Sequence, residues 1–312
     1  MNKVEFILLS DSYDFTTDYI AIELEKRGKN YLRIDRDLLS SDDFFWDFNN
    51  KRIKIRKGGK LFNVQTDQIN GVYYRAPTYL RETFSRSNTP EKQLQKSQWM
   101  ALFRNLMCIE DAVWINNPTS TFHAENKLIQ LKIADQIDFD LPETFILNSA
   151  SELPINDEYI IKSLDTAIFS FGDQEGFVYT NKTSYSELSV SNLSHAPVVI
   201  QKDLSPKIDL RVTVVGQDLY AVKILKGDDG VDGDWRKLKD DVSFVPVRLP
   251  VDVKEKCIKL VRSLNLLYGA IDLVLYKKKY YFIEVNPTGE WAWLVDSANQ
   301  HIYKSICNYL EG

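Results

Sequence analysis

Short apolar runs alternate with charged breaks along the whole chain, and their arrangement changes after the first third. Residues 4–9 are apolar except for Glu5 and have polar flanks, the pattern of a buried strand. Residues 17–26 read as a helix, with Gly28 placed as its stop. Residues 31–34 follow as a second strand, and 53–55 and 61–64 flank Lys57-Gly58-Gly59-Lys60, a hairpin signal. The segment GVYYR at 71–75 is a further strand. Residues 90–109 predict one long helix with apolar positions at Leu94, Trp99, Leu102, Phe103 and Leu106. A strand at 113–116 runs into Asn116-Asn117-Pro118, a turn signal and a candidate boundary. This order predicts a βαβ-rich domain over residues 1–115, with a mostly parallel sheet.

Beyond the boundary a helix is expected at 120–137, and then strands and hairpins take over. They fall at 159–162, 176–179, 198–202, 210–215 with 219–224, and 270–276 with 280–285. Helices are expected at 253–264 and 297–309. The segment KGDDGVDGDWR at 226–236 is rich in Gly and Asp and predicts a mobile loop. It lacks the terminal bidentate Glu of an EF-hand.

Composition narrows the function classes. A chain of 312 residues has room for about two domains and a large core. At 44% hydrophobic and 27% charged it is ordinary globular protein, not a disordered chain. A net charge of −5 argues against a nucleic-acid partner. No run approaches the roughly 20 apolar residues of a membrane span, and the first apolar run is too short for a secretory signal. The expectation is a cytoplasmic protein without a membrane partner. Cys108, Cys257 and Cys307 have no metal or redox spacing and are expected as small buried hydrophobes. His123, His195 and His301 lack ligand spacing, and no nucleophile elbow is present, which excludes a covalent hydrolase.

The candidate chemistry lies in the last hairpin, GAIDLVLYKKKYYFIEVNPTGEWAW at 269–293. With the turn centred on Lys278, Asp272 and Glu284 face each other, and Asn286 joins them on one face. Like charges opposite each other on a sheet are unfavourable, so this set calls for a cation. All its donors are hard oxygens, which suits Mg²⁺ and the phosphates that accompany it. A solvated strand end is the competing reading, and a one-residue slip would turn Asp272 to the other face.

Other residues extend the phosphate reading. Neither a Walker A sequence nor GxGxxG is present, so cations must come from separate elements. Lys127 lies on the helix after the boundary and Lys162 ends the apolar strand EYIIK; a snorkelling surface role is open for each. VVIQKDL runs from a strand into Gln201, Lys202, Asp203 and Leu204, where backbone groups can meet an adenine edge. Asp209 and Arg211 share a strand face, and a fork-shaped guanidinium beside an acid suits a phosphoryl oxyanion. A surface ion pair is the alternative.

In that order the set resembles the ATP-grasp superfamily of ATP-dependent carboxylate–amine ligases: Lys127, Lys162, Gln201 to Leu204, Asp209-x-Arg211, Asp272, Glu284-x-Asn286. The ending FIEVNPTGEWAW is similar to the branch of ribosomal-protein glutamate ligase-like proteins that includes the microviridin-type (graspetide) peptide ligases. VYYRAP at 72–77 resembles their first domain. The resemblance implies an α/β (α+β) chain, with a pre-ATP-grasp domain at 1–115 followed by a two-lobed ATP-grasp fold with antiparallel sheets, lobes at 116–200 and 201–312. Lys127 and Lys162 would hold ATP phosphates. Gln201, Lys202, Asp203 and Leu204 would line the adenine pocket. Asp209 would lie near the nucleotide or position Arg211, and Arg211 would stabilise the transferring phosphoryl group. Asp272, Glu284 and Asn286 would bind two Mg²⁺. The 226–236 loop would close over the site, and Arg75 and Arg236 would meet substrate carboxylates. Lys202 departs from the superfamily, where an acid is common near this position. The implied partner is a precursor peptide with a leader segment, and a homodimer is in keeping with the resemblance; Asp173 and Glu175 are candidates to meet a basic leader residue, with a solvated turn as the favoured reading of FGDQEG. The same machinery serves a ligase joining an amino acid or small amine to a carboxylate; a nucleotide-binding regulatory protein is the reading from another class.

Overall fold

A computed structural model of the chain describes residues 3–41, 43–75, 89–155, 157–165, 168–171, 174–177, 179–238 and 240–312, without side chains at 40–41, 168–171 and 174–177. The N-terminal part comprises β1 (Phe6–Ser10), α1 (Phe15–Lys26), β2 (Tyr31–Asp35), β3 (Asp43–Asp47), β4 (Arg52–Lys57), β5 (Lys60–Gln65), β6 (Gly71–Tyr74), α2 (Pro90–Asn105) and β7 (Val113–Ile115). A parallel sheet runs β2-β1-β6-β7. Helix α1 starts where the Asp14 side chain accepts from the Thr16 N–H, and stops in a paired turn at Gly28. There the Gly28 and Lys29 N–H groups bond the Glu25 and Leu24 carbonyls, with Gly28 at φ +70°. The expected 53–64 hairpin gains a third strand, β3, whose Phe44 and Trp46 lie against the core beneath α2.

The middle holds α3 (Pro118–Ala124), α4 (Lys127–Gln136), β8 (Thr144–Leu147), β9 (Glu158–Lys162), the hairpin β10 (Ile168–Phe171) and β11 (Gln174–Phe177), β12 (Asn181–Ser184), α5 (Tyr185–Val190) and β13 (Val198–Lys202). Its antiparallel sheet runs β12-β9-β13-β8. The last part holds β14 (Ile208–Val215), β15 (Asp218–Lys226), β16 (Asp229–Gly230), β17 (Ser243–Pro246), α6 (Val251–Ser263), β18 (Tyr268–Tyr276), β19 (Lys279–Asn286), α7 (Trp293–Ala298) and α8 (Ile302–Glu311). Here the sheet runs β16-β15-β14-β18-β19, with β17 also on β15. Leu210, Val212 and Val214 of β14 face one core with α4 and α6, which leaves Asp209, Arg211 and Thr213 on the other face. Among the described residues no helix is long and apolar enough to cross a membrane.

Several expectations need correction. The helix expected at 120–137 is two, broken at Glu125-Asn126, where the Asn126 carboxamide donates to the Phe122 and His123 carbonyls. The helix expected at 297–309 is also two, broken at Asn299 in a left-handed conformation. The long helix ends at Asn105 in a tighter turn at Leu106–Cys108. The strand expected at 176–179 is Gln174–Phe177. The 226–236 segment is exposed at 226–229 and packed near its end, where Trp235 is buried among Val231, Phe244 and Trp293. Cys257 and Cys307 are buried as expected, but Cys108 is exposed. Asp173 lies outside the described residues, and only the backbone of Glu175 is described.

One core joins the two ends of the chain. Phe6, Leu8, Ile20, Leu24, Tyr73 and Ile115 from the first part surround Trp291, Leu294, Ile302 and Leu310 from the last. Asn116 pins this junction. Its amide donates to the Tyr268 and Pro287 carbonyls at 2.9 and 2.8 Å, and its oxygen accepts from the Leu267 and Tyr268 N–H groups at 2.9 Å each. All four of its hydrogen-bonding positions are filled although it is 2% exposed. Asn116→Ala strands these backbone groups and is expected to cost at least about 3 kcal/mol in urea unfolding. Asn117→Ala removes only an exposed cap on Thr119 and is expected to cost about 1 kcal/mol. Equal losses would contradict the pinning role.

Candidate active site

The site is built on one row across three strands. Arg211 on β14 lies directly opposite Asp272 on β18, and Asp272 lies opposite Glu284 on β19. The expected facing pair is therefore present, but by a different route. The turn is the two residues Lys277-Lys278, both at positive φ, and pairs Tyr276 with Lys279. That register alone would set Asp272 opposite Ile283. A bulge inserts Ile283 between the Leu273–Phe282 and Asp272–Glu284 pairs and restores the acids to one face. Asn286 follows two residues on, opposite Ala270, and its amide donates to Glu284 Oε1 at 3.3 Å.

Protein cations crowd these acids. Arg211 Nε lies 2.8 Å from Asp272 Oδ1, and this nitrogen is shielded from solvent with no aligned hydrogen-bond acceptor. Arg236 Nη2 lies 3.0 Å from Asp272 Oδ2 and 3.9 Å from Glu284 Oε1, so it bridges the acids. Lys127, at the start of α4, reaches Glu284 Oε2 at 3.0 Å. Lys162 closes the row from the end of β9, in the other sheet. Burial favours protonation of Glu284, but Lys127, Lys162 and Arg236 outweigh it and hold the carboxyl well below the usual range. Burial pulls the Lys162 ammonium down to about 8, against the pull of Glu284. Burial works against the Arg236 charge too, yet Asp272, Glu284 and Asp234 hold its pKa above the ordinary value.

The cleft between the two antiparallel sheets spans about 760 Å³ including its open mouth. Gln201, Lys202, Asp203 and Leu204 line its inner wall with Ile160 and Leu210. The Lys202 and Asp203 N–H groups bond the Glu143 and Glu158 carbonyls, and the Leu204 N–H bonds no backbone carbonyl among the described residues. The Lys202 side chain turns outward to Asp157 at 3.2 Å. Asp203 pairs with Lys182 at 3.1 Å.

Asp209 is expected near the nucleotide or beside Arg211, and Arg75 at a substrate carboxylate. Asp209 lines the cleft but is bonded by Lys207, whereas Arg211 is held by Asp272. Burial pushes the Asp209 carboxyl up against the pull of Lys207. Arg75 is not in the cleft lining. Its guanidinium is taken by Asp14 at 3.3 Å, Glu290 at 2.5 Å and the Thr288 and Gly289 carbonyls, so it braces the turn after Asn286. Sequence reasoning missed Gln130, whose carboxamide grips the backbone of Val285; a lone helical Gln carries no signal. It also gave no role to Lys207, in a polar stretch that resembles any solvated loop, and placed Asp234 only in the loop expected to close over the site.

Among the described residues no three His, Cys, Asp or Glu side chains converge as a metal site. The oxygen set here is two carboxylates and a carboxamide. Their direct opposition, with a protein guanidinium bridging them, fits a hard divalent cation shared with an anionic ligand.

No protein-family model and no curated protein matches the sequence. Solved structures do. The chain is similar to a Chryseobacterium gregarium RiPP-associated ATP-grasp ligase in complex with ADP, and a leader and core peptide, at 25% identity and TM-score 0.83, over 99% of this chain and 96% of that one. It is also similar to the macrocyclase MdnC of Microcystis aeruginosa MRC, bound with precursor peptide MdnA, at 19% identity, TM-score 0.80 and 99% of each chain. The macrocyclase MdnB of the same organism aligns at 22% identity and TM-score 0.75, over 99% of each chain. The fold is that of the ATP-grasp ligases, as the ordered residue set implied. RiPP-associated ligases share it along nearly the whole chain.

The buried ammonium gives a stability test. Because the folded-state pKa of Lys162 is below the ordinary lysine value of 10.5, the charged form destabilises the protein at neutral pH. The penalty is relieved as pH rises from about 8 towards 10.5, where the folded state sheds the proton first. Lys162→Met is expected to raise the thermal midpoint at pH 7 by a few degrees, with the gain shrinking across that window. A gain independent of pH would contradict the buried charge.

Proposed function

We propose that this chain is an ATP-dependent ligase that activates a carboxylate as an acylphosphate and transfers it to an amine or hydroxyl, forming side-chain amide or ester links within a ribosomal precursor peptide. The observation that carries this reading is the Arg211–Asp272–Glu284 row, with Lys162 above it, at the floor of the cleft between two antiparallel sheets. The architecture shared with a RiPP-associated ATP-grasp ligase that binds ADP and a leader and core peptide supports the substrate class. We take residues 1–115 as the pre-ATP-grasp domain, and 116–200 and 201–312 as the two lobes.

Lys127 and Lys162 neutralise the β- and γ-phosphates. The wall from Gln201 to Leu204 receives the adenine, with the Leu204 N–H as donor and Ile160 and Leu210 as apolar faces. Asp272, Glu284 and Asn286 hold Mg²⁺, which when bound neutralises phosphate charge and orients the γ-phosphoryl group. Arg236 must then leave the acids it bridges, which frees its fork for a substrate carboxylate. A substrate carboxylate oxygen attacks the γ-phosphorus, the bond to the β-phosphate oxygen breaks, and ADP leaves. Arg211 stabilises the equatorial oxygens of the transferring group. An amine or hydroxyl then attacks the acyl carbon, inorganic phosphate departs, and the nucleophile's proton is lost to solvent. The net loss from the peptide is one water per bond.

Purified protein incubated with Mg·ATP and each short peptide encoded beside its gene is expected to give ADP and peptide masses lower by one water per link. ADP without that mass loss would place the acceptor on another molecule. Neither product would remove the ligase reading. Glu284→Gln is expected to fold but lose Mg·ATP turnover. Arg211→Ala is expected to keep nucleotide binding and lose about 10²–10³-fold in turnover. An unchanged rate would assign the phosphoryl oxygens to another cation.

A further inference from the structure

Gln130 lies on α4, 3% exposed, three residues after Lys127 and on the same side of the helix. Its amide donates to the Val285 carbonyl at 2.8 Å, and its oxygen accepts from the Val285 N–H at 3.0 Å. The second amide hydrogen goes to the Ala124 carbonyl at 2.6 Å, at the end of α3. The side chain thus imitates one residue of a neighbouring strand. It does so on β19, the edge of its sheet, whose outer backbone groups have no strand beside them there.

The position of this contact gives it consequence. Val285 separates Glu284 from Asn286, and the bulge at Ile283 lies immediately before. A bulge disrupts the ladder locally, and a slip of one residue exchanges the faces of a strand. The helix that grips the Val285 peptide also delivers Lys127 to Glu284. Helix α4 itself is fixed by Ile129, Ile133 and Ala134 in the core shared with α6 and β14.

We propose that Gln130 is a positioning residue. By holding the Val285 peptide it sets where Glu284 and Asn286 present their oxygens to a divalent cation. The inference rests on the ligase reading for the identity of Glu284 and Asn286 as metal-binding residues. It goes further in assigning their placement to a neutral side chain that touches neither metal nor nucleotide.

The test measures Mn²⁺ binding to the full chain in the presence of AMPPNP by electron paramagnetic resonance. Hydrogen–deuterium exchange over residues 280–287 is followed in parallel. Gln130→Met keeps the volume and removes the three hydrogen bonds. It is expected to weaken Mn²⁺ binding about 10–100-fold, as loss of an outer partner does at metal sites, and to speed exchange at Val285. AMPPNP binding in EDTA is expected to stay as in the wild type. Gln130→Glu keeps the acceptor for the Val285 N–H and loses the donors; it is expected to fall between. Wild-type Mn²⁺ affinity in both variants would overturn the positioning role, as would loss of the folded state in both, since the contact would then serve folding alone. Failure of the wild type itself to bind Mn²⁺ with AMPPNP would instead overturn the ligase reading, and the inference with it.

Discussion

The site depends on one extra residue in one strand. Without the bulge at Ile283, the two-residue turn at Lys277-Lys278 would pair Asp272 with Ile283 and send Glu284 to the core face. With it, two carboxylates stand opposite each other on the cleft face of the sheet. Such a pair is unfavourable alone. Arg211, Arg236 and Lys127 offset the repulsion in the free protein, and Lys162 adds charge from the facing sheet. The cluster therefore carries more positive than negative charge. That excess suits a polyanion arriving with its own cation, since the protein dipoles and charges are already oriented when the ligand enters.

The N-terminal part of the chain and the residue that follows it contribute to this site although, among the described residues, they supply no side chain to the cleft. Arg75 and Asn116 hold the turn at 287–290 from one side, and the Tyr268 hydroxyl donates to the Gly289 carbonyl at 2.7 Å from another. Gly289 is required by this close approach: a Cβ there would sit 2.5 Å from that of Ala270. Trp291 fills the core between the first and last parts of the chain. The run NPTGEWAW thus acts as a joint. It ends the strand that bears Glu284 and Asn286 and anchors that end in a core that the N-terminal part of the chain completes.

Much of this was legible in the sequence, and the losses have specific causes. Strand β18, the βαβ start and the facing of Asp272 and Glu284 follow from apolar runs with charged breaks. The turn was misplaced by half a residue because Lys-Lys is not a residue pair that announces positive φ. The bulge then compensated, so the right pair came from an incomplete register. The breaks at Asn126 and Asn299 interrupt runs that remain apolar and helical in period, and neither carries a Gly or Pro to mark it. Arg75 looked like a substrate contact because a lone Arg after a strand does not disclose that its acceptors are the carbonyls of residues 288 and 289.

The cations of the cleft come from separate elements: Lys127 from α4, Lys162 from β9, Arg211 from β14 and Arg236 from the turn at Trp235–Leu238. A P-loop gathers its phosphate contacts on one strand–loop–helix unit. Here the same charge is assembled only when the two sheets face each other. Desolvation pulls the Lys162 pKa down to about 8 and opposes stability in the free protein, and an anionic ligand beside it would offset that cost. The anionic ligand that the proposed function requires would bring the counter-charge that this arrangement lacks. The acids alone cannot supply it, because Asp272 and Glu284 already answer to Arg211, Arg236 and Lys127.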